Sequence, residues 1–323
     1  MIDGLFVIVL STIILASAYL WFKLAQNFKG YLSVDSSSLP PGRPFGLLDV
    51  AIMFFVWGLG SLAAMQIGAW IGWYELVDDL EALKAMPMEQ QTAITFMQGL
   101  GLLVSTVLAM IVIRLRYSNE GPLFGLSFSR LNDHLLLTLK AFAMVLPLLL
   151  GIQMLCGLLV EYKHDTLELL RENFTMKTGL ATWFTAVVVA PIAEEVFFRG
   201  LLQAWLQRLM DSPNSSFDAP MIIGGWSPAE RKSVEQSPST VPQKPVKLTQ
   251  QGENLSFWIP IVISSFLFGM AHFGQGLAPI PLFFFAIALG YLYRATGSLI
   301  PCIALHFLLN AFTMFWMTMQ LIS

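Results

Sequence analysis

Eight long apolar stretches divide this chain, near residues 4–22, 48–73, 93–113, 134–160, 178–198, 256–273, 277–293 and 298–321. A helix needs roughly 20 mostly apolar residues to cross a hydrocarbon core about 30 Å thick, at about 1.5 Å per residue. No water is available there to bond the backbone, so each stretch is expected to satisfy its own peptide groups as a helix. The pattern predicts an all-α, polytopic transmembrane helix bundle of about eight spans. The fifth stretch reads on as an amphipathic helix to about Met210, and the seventh is short and flanked by prolines.

One segment breaks the pattern. Residues 211–256 are rich in Ser, Pro, Gln and Lys. Such a segment cannot bury enough apolar surface to offset the entropy of ordering, so a largely disordered loop is expected. The chain then divides into 1–177, with about four N-terminal spans, and 178–323, with the remaining spans and the polar insert at about 211–256.

Composition agrees: of 323 residues, 56% are hydrophobic and 12% charged, whereas soluble domains carry about 25% charged residues. The mean hydropathy is +0.67. A net charge of −3 argues against a nucleic-acid partner. The first stretch is preceded by Asp3 and no basic residue, so it reads as a retained span and not a cleaved signal. Lys and Arg set the orientation. Thirteen lie in one set of alternate connections, including those at 23–43, 114–130 and 199–247, against four in the other set, Lys84, Lys163, Arg171 and Lys177. This places the 199–256 loop in the cytoplasm and both termini outside.

Charged residues inside a span cost about 2.5–3.5 kcal/mol each on an insertion scale, and persist where they pair, face a cavity or do chemistry. The informative ones are Glu194, Glu195 and Arg199 in APIAEEVFFRG, His272 in SFLFGMAHFG, and His306 with Asn310 in IALHFLLNAF. Glu195 and Arg199 are four apart and stack on one helix face as an ion pair. Glu194 lies about 100° round the helix, free to face a cavity. Phe268 shares a face with His272, as His306 does with Asn310. Three helices can thus present a carboxylate, two imidazoles and an amide to one point. A carboxylate and an imidazole can activate water. A second imidazole and an amide can stabilise an oxyanion. The same set could instead bind a divalent metal such as zinc through Glu194, His272 and His306.

Other polar residues have plainer readings. His134 and His164 sit at span edges, and Lys140 can snorkel to the interface. Gln66, Gln98 and Gln153 read as interhelical hydrogen-bond partners. Cys156 and Cys302 read as small buried hydrophobes, and Trp73 and Tyr74 as interface anchors.

EEVFFR, Phe268–His272 and His306–Asn310 match EExxxR, FxxxH and HxxxN in that order. Together with TGSLIPCIALHFLLN they resemble the CPBP family of intramembrane proteases. That family is also called the CAAX proteases or Abi family, and it includes the Ras-converting endopeptidase. The resemblance covers about 178–320, and the polar insert between the first two motifs departs from it. It implies that Glu194 activates the attacking water beside His272. By the same resemblance His306 and Asn310 stabilise the oxyanion, while Glu195 and Arg199 hold the architecture, with Phe268 in support. The family is often labelled metalloprotease, yet a metal-free glutamate-activated water has also been proposed for it. The chain has no HExxH motif to decide.

The expected activity is intramembrane endopeptidase cleavage of a peptide or membrane-protein substrate, near the cytoplasmic leaflet of the lipid bilayer. Two alternatives predict different behaviour. A non-catalytic scaffold or immunity-type membrane protein would keep these residues for packing. A proton-coupled transporter would use them as a relay, although the polar residues cluster late and no repeated half is visible. One geometric condition follows from the catalytic reading. Glu194 and His272 meet only if the fifth helix runs well past Arg199 or the sixth is short or broken near Gly274.

Overall fold

In a computed structural model the described part of the chain is all-helical. The structure describes residues 2–26, 44–77, 80–117, 124–126, 128, 130–159, 175–211 and 250–322. Eight long helices and one short one follow in order: α1 (Ile2–Gln26), α2 (Leu47–Trp70), α3 (Leu80–Ala85), α4 (Met88–Arg116), α5 (Leu131–Gly157), α6 (residues 176–211), α7 (Gln250–Met270), α8 (Pro279–Thr296) and α9 (Ile300–Ile322). Seven are long and apolar enough to cross a membrane, and the apolar part of α7, Leu255–Met270, is shorter. The short member is therefore the sixth, where the prolines of the seventh had suggested otherwise. Pro279 instead sits in the first turn of α8, where the missing N–H costs no helical bond. The helix at Gln250 also begins inside the stretch read as a polar insert. Residues 212–249 of that insert, and His164, lie outside the described residues.

In lipid, apolar burial gives little drive to bring helices together, and close van der Waals packing takes over. The α2–α4 pair shows this. Gly60 sits against Ser105 and Gly101 against Ala64, so closely that a Cβ on either glycine would collide. Tyr74, expected at the interface, is instead buried over Gly68, and its hydroxyl donates to the Met65 carbonyl across 3.0 Å. Gly297 ends α8 in the left-handed region at φ 62°, with its N–H on the Tyr293 carbonyl, a conformation glycine adopts without steric cost.

The tight core lies in one half of the bundle. It gathers Phe45, Met53, Ile113, Leu201, Leu289 and Leu299 around the ends of α2, α4, α6, α8 and α9. Asp49 anchors the same end. Fully buried, it accepts from Gly46 N–H (2.8 Å), Arg116 (2.6 Å) and the Tyr117 hydroxyl (2.7 Å). The Arg208 guanidinium ties the end of α6 to the Pro44 and Phe45 carbonyls. The other half is hollow.

Candidate functional site

The middle of α6 departs from α-helical register. Phe184–Val189 and Val196–Gln203 are π-helical, and they flank the six-residue α segment Ala190–Glu195. Single π turns inside α-helices are rare and concentrate at functional sites. α6 continues unbroken to Asp211, so Glu194 sits near its midpoint. α7 stops at Met270, and a turn through Gly274 (φ 103°) and Gly276 (φ 61°) leads to α8. Both routes by which Glu194 could reach the level of His272 are thus taken.

The two adjacent glutamates face different ways. Glu195 is fully buried, while the Glu194 side chain keeps 22% of its exposure and borders the cavity. Glu195 Oε1 accepts from Arg199 at 3.2 Å and from His306 Nδ1 at 2.8 Å. The Arg199 guanidinium, also buried, donates to the Ala286 carbonyl at 3.2 Å and lies 4.6 Å over the Phe268 ring. A buried ion pair of this kind holds because each charge is met by its partner and by further hydrogen bonds. Phe268 is fully buried at the junction, with ring contacts to Phe198, His272 and His306 at 5.1, 5.1 and 5.9 Å. That position accounts for the phenylalanine of the second motif.

His306 bridges the two carboxylates: Nδ1 is on Glu195, and Nε2 lies 3.9 Å from Glu194 Oε2. The sequence grouped Glu195 with Arg199 alone. The contact with His306 was missed, although His306 is one of only four histidines in the chain. His272 Nδ1 lies 2.9 Å from the Phe268 carbonyl. A carbonyl only accepts, so Nδ1 carries the proton and Nε2 is left as the acceptor in the neutral ring. Asn310 Nδ2 donates to the Ala186 carbonyl at 2.8 Å, which leaves one amide proton for another acceptor.

Glu194, His272, His306 and Asn310 all border one cavity of about 720 Å³. Gln98 and Gln153, read from sequence as interhelical partners, border it too, as does the half-buried Cys156. Cys302 is fully buried, as expected. The three metal candidates do not form a ligand set. Among the described residues, no three His, Cys, Asp or Glu side chains are placed to hold one ion.

Residues 176–227 and 246–312 match a family model described as type II CAAX prenyl endopeptidase Rce1-like. This part of the chain is similar to that family. The match starts where α6 starts and pauses within the polar insert. The matched region therefore runs from α6 to the first half of α9 and contains the three motifs that carry the CPBP resemblance. Helices α1 to α5 fall outside it. No curated protein and no solved structure matches the chain.

Proposed function

We propose that this chain is an intramembrane endopeptidase in which Glu194 activates water within the cavity. The observation that carries this reading is the 3.9 Å approach of Glu194 to His306, at a cavity that His272 and Asn310 also border. Glu194 takes a proton from water, and the oxygen attacks the scissile carbonyl carbon. His272 Nε2 accepts a hydrogen bond from the same water and orients its lone pair. The carbonyl electrons move onto oxygen, where the His306 ring and the second Asn310 amide proton stabilise the charge. Glu194 then returns its proton to the amine as the C–N bond breaks. Glu195 and Arg199 hold His306 in place. No step is routed through a metal, because the residues present do not form a ligand set.

Both termini lie outside, and the 199–256 loop is cytoplasmic, by the bias of Lys and Arg among the connections. The substrate is a peptide or membrane-protein segment. The test is cleavage of a fluorogenic hydrophobic peptide library by purified protein in detergent. Glu194→Gln is expected to lower the rate by about 10²–10⁴-fold, the usual contribution of a positioned acid–base, with an unchanged melting temperature. Equal rates for the two proteins would overturn the reading.

A further inference from the structure

The cavity occupies only one end of the bundle. Its walls come from the first turns of α4 (Met88, Gln91, Thr95), the last turns of α5 (Gln153, Cys156, Gly157) and the first half of α6 (Thr178 to Glu194). The α7–α8 turn (His272, Gln275, Leu277), α9 from His306 to Met314 and Leu83 of α3 complete them. Apart from His306 and Leu309, early in α9, these contributions lie between mid-helix and the end of the bundle that carries α3. The opposite end is closed by the core around Phe45, Ile113, Leu201 and Leu299. The mouth therefore opens beside α3 and the α7–α8 turn, with Glu194 and His306 at the floor.

That end is the one poor in Lys and Arg. Among the described residues Lys23, Arg114, Arg116, Arg130, Arg208 and Arg294 lie toward the closed end, and Lys84 and Lys177 toward the open end. On the positive-inside rule, the closed end is cytoplasmic. We infer that the cavity takes its substrate from the extracytoplasmic side, and that the bond cut belongs to a segment presented outside the cytoplasm. The inference rests on the endopeptidase reading for what enters, but not for where the mouth lies. It replaces the cut near the cytoplasmic leaflet expected from sequence. The walls also describe the segment. Gln91, Thr95 and Gln98 on α4 and Thr182 on α6 bring amides and hydroxyls to the lining, and Leu149 on α5 with Leu282 and Phe285 on α8 bring apolar surface. An extended peptide can give its backbone to the polar groups and apolar side chains to the apolar surface.

Native Cys156 provides the test, since it borders the cavity while Cys302 is fully buried. A membrane-impermeant maleimide is applied to right-side-out and to inside-out vesicles containing the full chain. Three forms are compared: wild type, Ala85→Cys in a Cys156→Ser background, and Arg130→Cys in the same background. Ala85 and Arg130 are exposed at opposite ends of the bundle, so each reports its side whether or not the cavity admits the reagent. Labelling of Ala85→Cys and Cys156 in right-side-out vesicles, and of Arg130→Cys only in inside-out ones, is expected, with at least tenfold contrast. Labelling of Ala85→Cys only from the inside overturns the orientation. Labelling of Cys156 from the side opposite Ala85→Cys overturns the position of the mouth. Either result leaves the endopeptidase reading intact, and that reading fails separately if Glu194→Gln cleaves like wild type.

Discussion

The Asn310 side-chain amide donates to the Ala186 carbonyl across 2.8 Å, and Ala186 is the residue that Pro191 leaves without a helical partner. The Ala190 N–H bonds the Thr185 carbonyl, five residues back, in the π register. The next bond in that register would run from residue 191 to Ala186, and proline has no N–H to give. Asn310 supplies it from α9. The third motif thus binds the helix of the first, and Asn310 acts as a positioning residue besides any direct contact with substrate.

A double-mutant cycle separates the two roles. Asn310→Ala takes that donor from the Ala186 carbonyl at the cavity wall, and about 0.5–1.5 kcal/mol of stability should be lost. Pro191→Ala restores a backbone N–H, so the double variant Pro191→Ala/Asn310→Ala should recover at least half of that loss. Unfolding in detergent by denaturant reads both values. If the double variant is as unstable as Asn310→Ala, the amide does not replace the proline's missing donor. Activity in the double variant then reports what remains of Asn310's role toward the oxyanion.

The two neighbouring glutamates should respond in opposite ways. Glu195→Leu leaves Arg199 buried without its carboxylate, which should destabilise the protein by roughly 3–5 kcal/mol, as for other broken buried pairs. Glu195→Leu/Arg199→Leu removes both charges and should be markedly more stable than Glu195→Leu alone. Glu194→Leu borders the cavity and should leave the melting temperature within a degree or two of wild type. Thermal unfolding followed by intrinsic tryptophan fluorescence distinguishes these outcomes. An unstable Glu194→Leu with a stable Glu195→Leu would reverse the assignment.

Much of this arrangement was legible in the chain because the membrane simplifies the code. Apolar runs long enough to span had little choice but to be helices, and six intramembrane polar residues stood out against them. Helical spacing separated Glu194 from Glu195 and paired Glu195 with Arg199. The π register of α6 was not legible, because it depends on neighbours such as Asn310 that are distant in sequence. Pro191 was the available signal. Asp49 was missed for a different reason. One carboxylate three residues past Gly46 looks like a helix cap, and nothing local says that Arg116 and Tyr117 will fold onto it.

His272 and His306 should also differ. The His272 ring bonds a carbonyl of its own helix end, so His272→Ala should lower the cleavage rate by about 10²–10⁴-fold with little loss of stability. His306 is buried and bonds Glu195 across helices. His306→Ala should therefore lower both rate and stability, the latter by about 1.5–3 kcal/mol for a bond to a charged group. Rates and unfolding midpoints measured on the same preparations check the split. A His306→Ala protein as stable as wild type would mean that the bridge to Glu195 contributes nothing to the fold.

Asp49 sets the last prediction, at the end of the bundle far from the cavity. Its carboxylate meets Arg116, the Tyr117 hydroxyl and the Gly46 N–H. Asp49→Ala strands all three donors and should destabilise the protein by roughly 3–5 kcal/mol, while the specific activity of the folded fraction stays near wild type. Tyr117 adds a pH signature. Burial, then the hydrogen bond to Asp49 and its negative charge, pushes the phenol well above its usual range. The neutral phenol is the donor, so its stabilisation is fully present below the unfolded value of about 10 and is lost as pH rises from there toward the folded value. Tyr117→Phe should therefore be less stable than wild type by about 1.5–3 kcal/mol at neutral pH. The gap should narrow as pH rises above about 10. Paired unfolding curves between pH 7 and about pH 11 read that gap on either side of the unfolded tyrosine value. A gap that widens at high pH would show that the hydroxyl is not held as a neutral donor to Asp49.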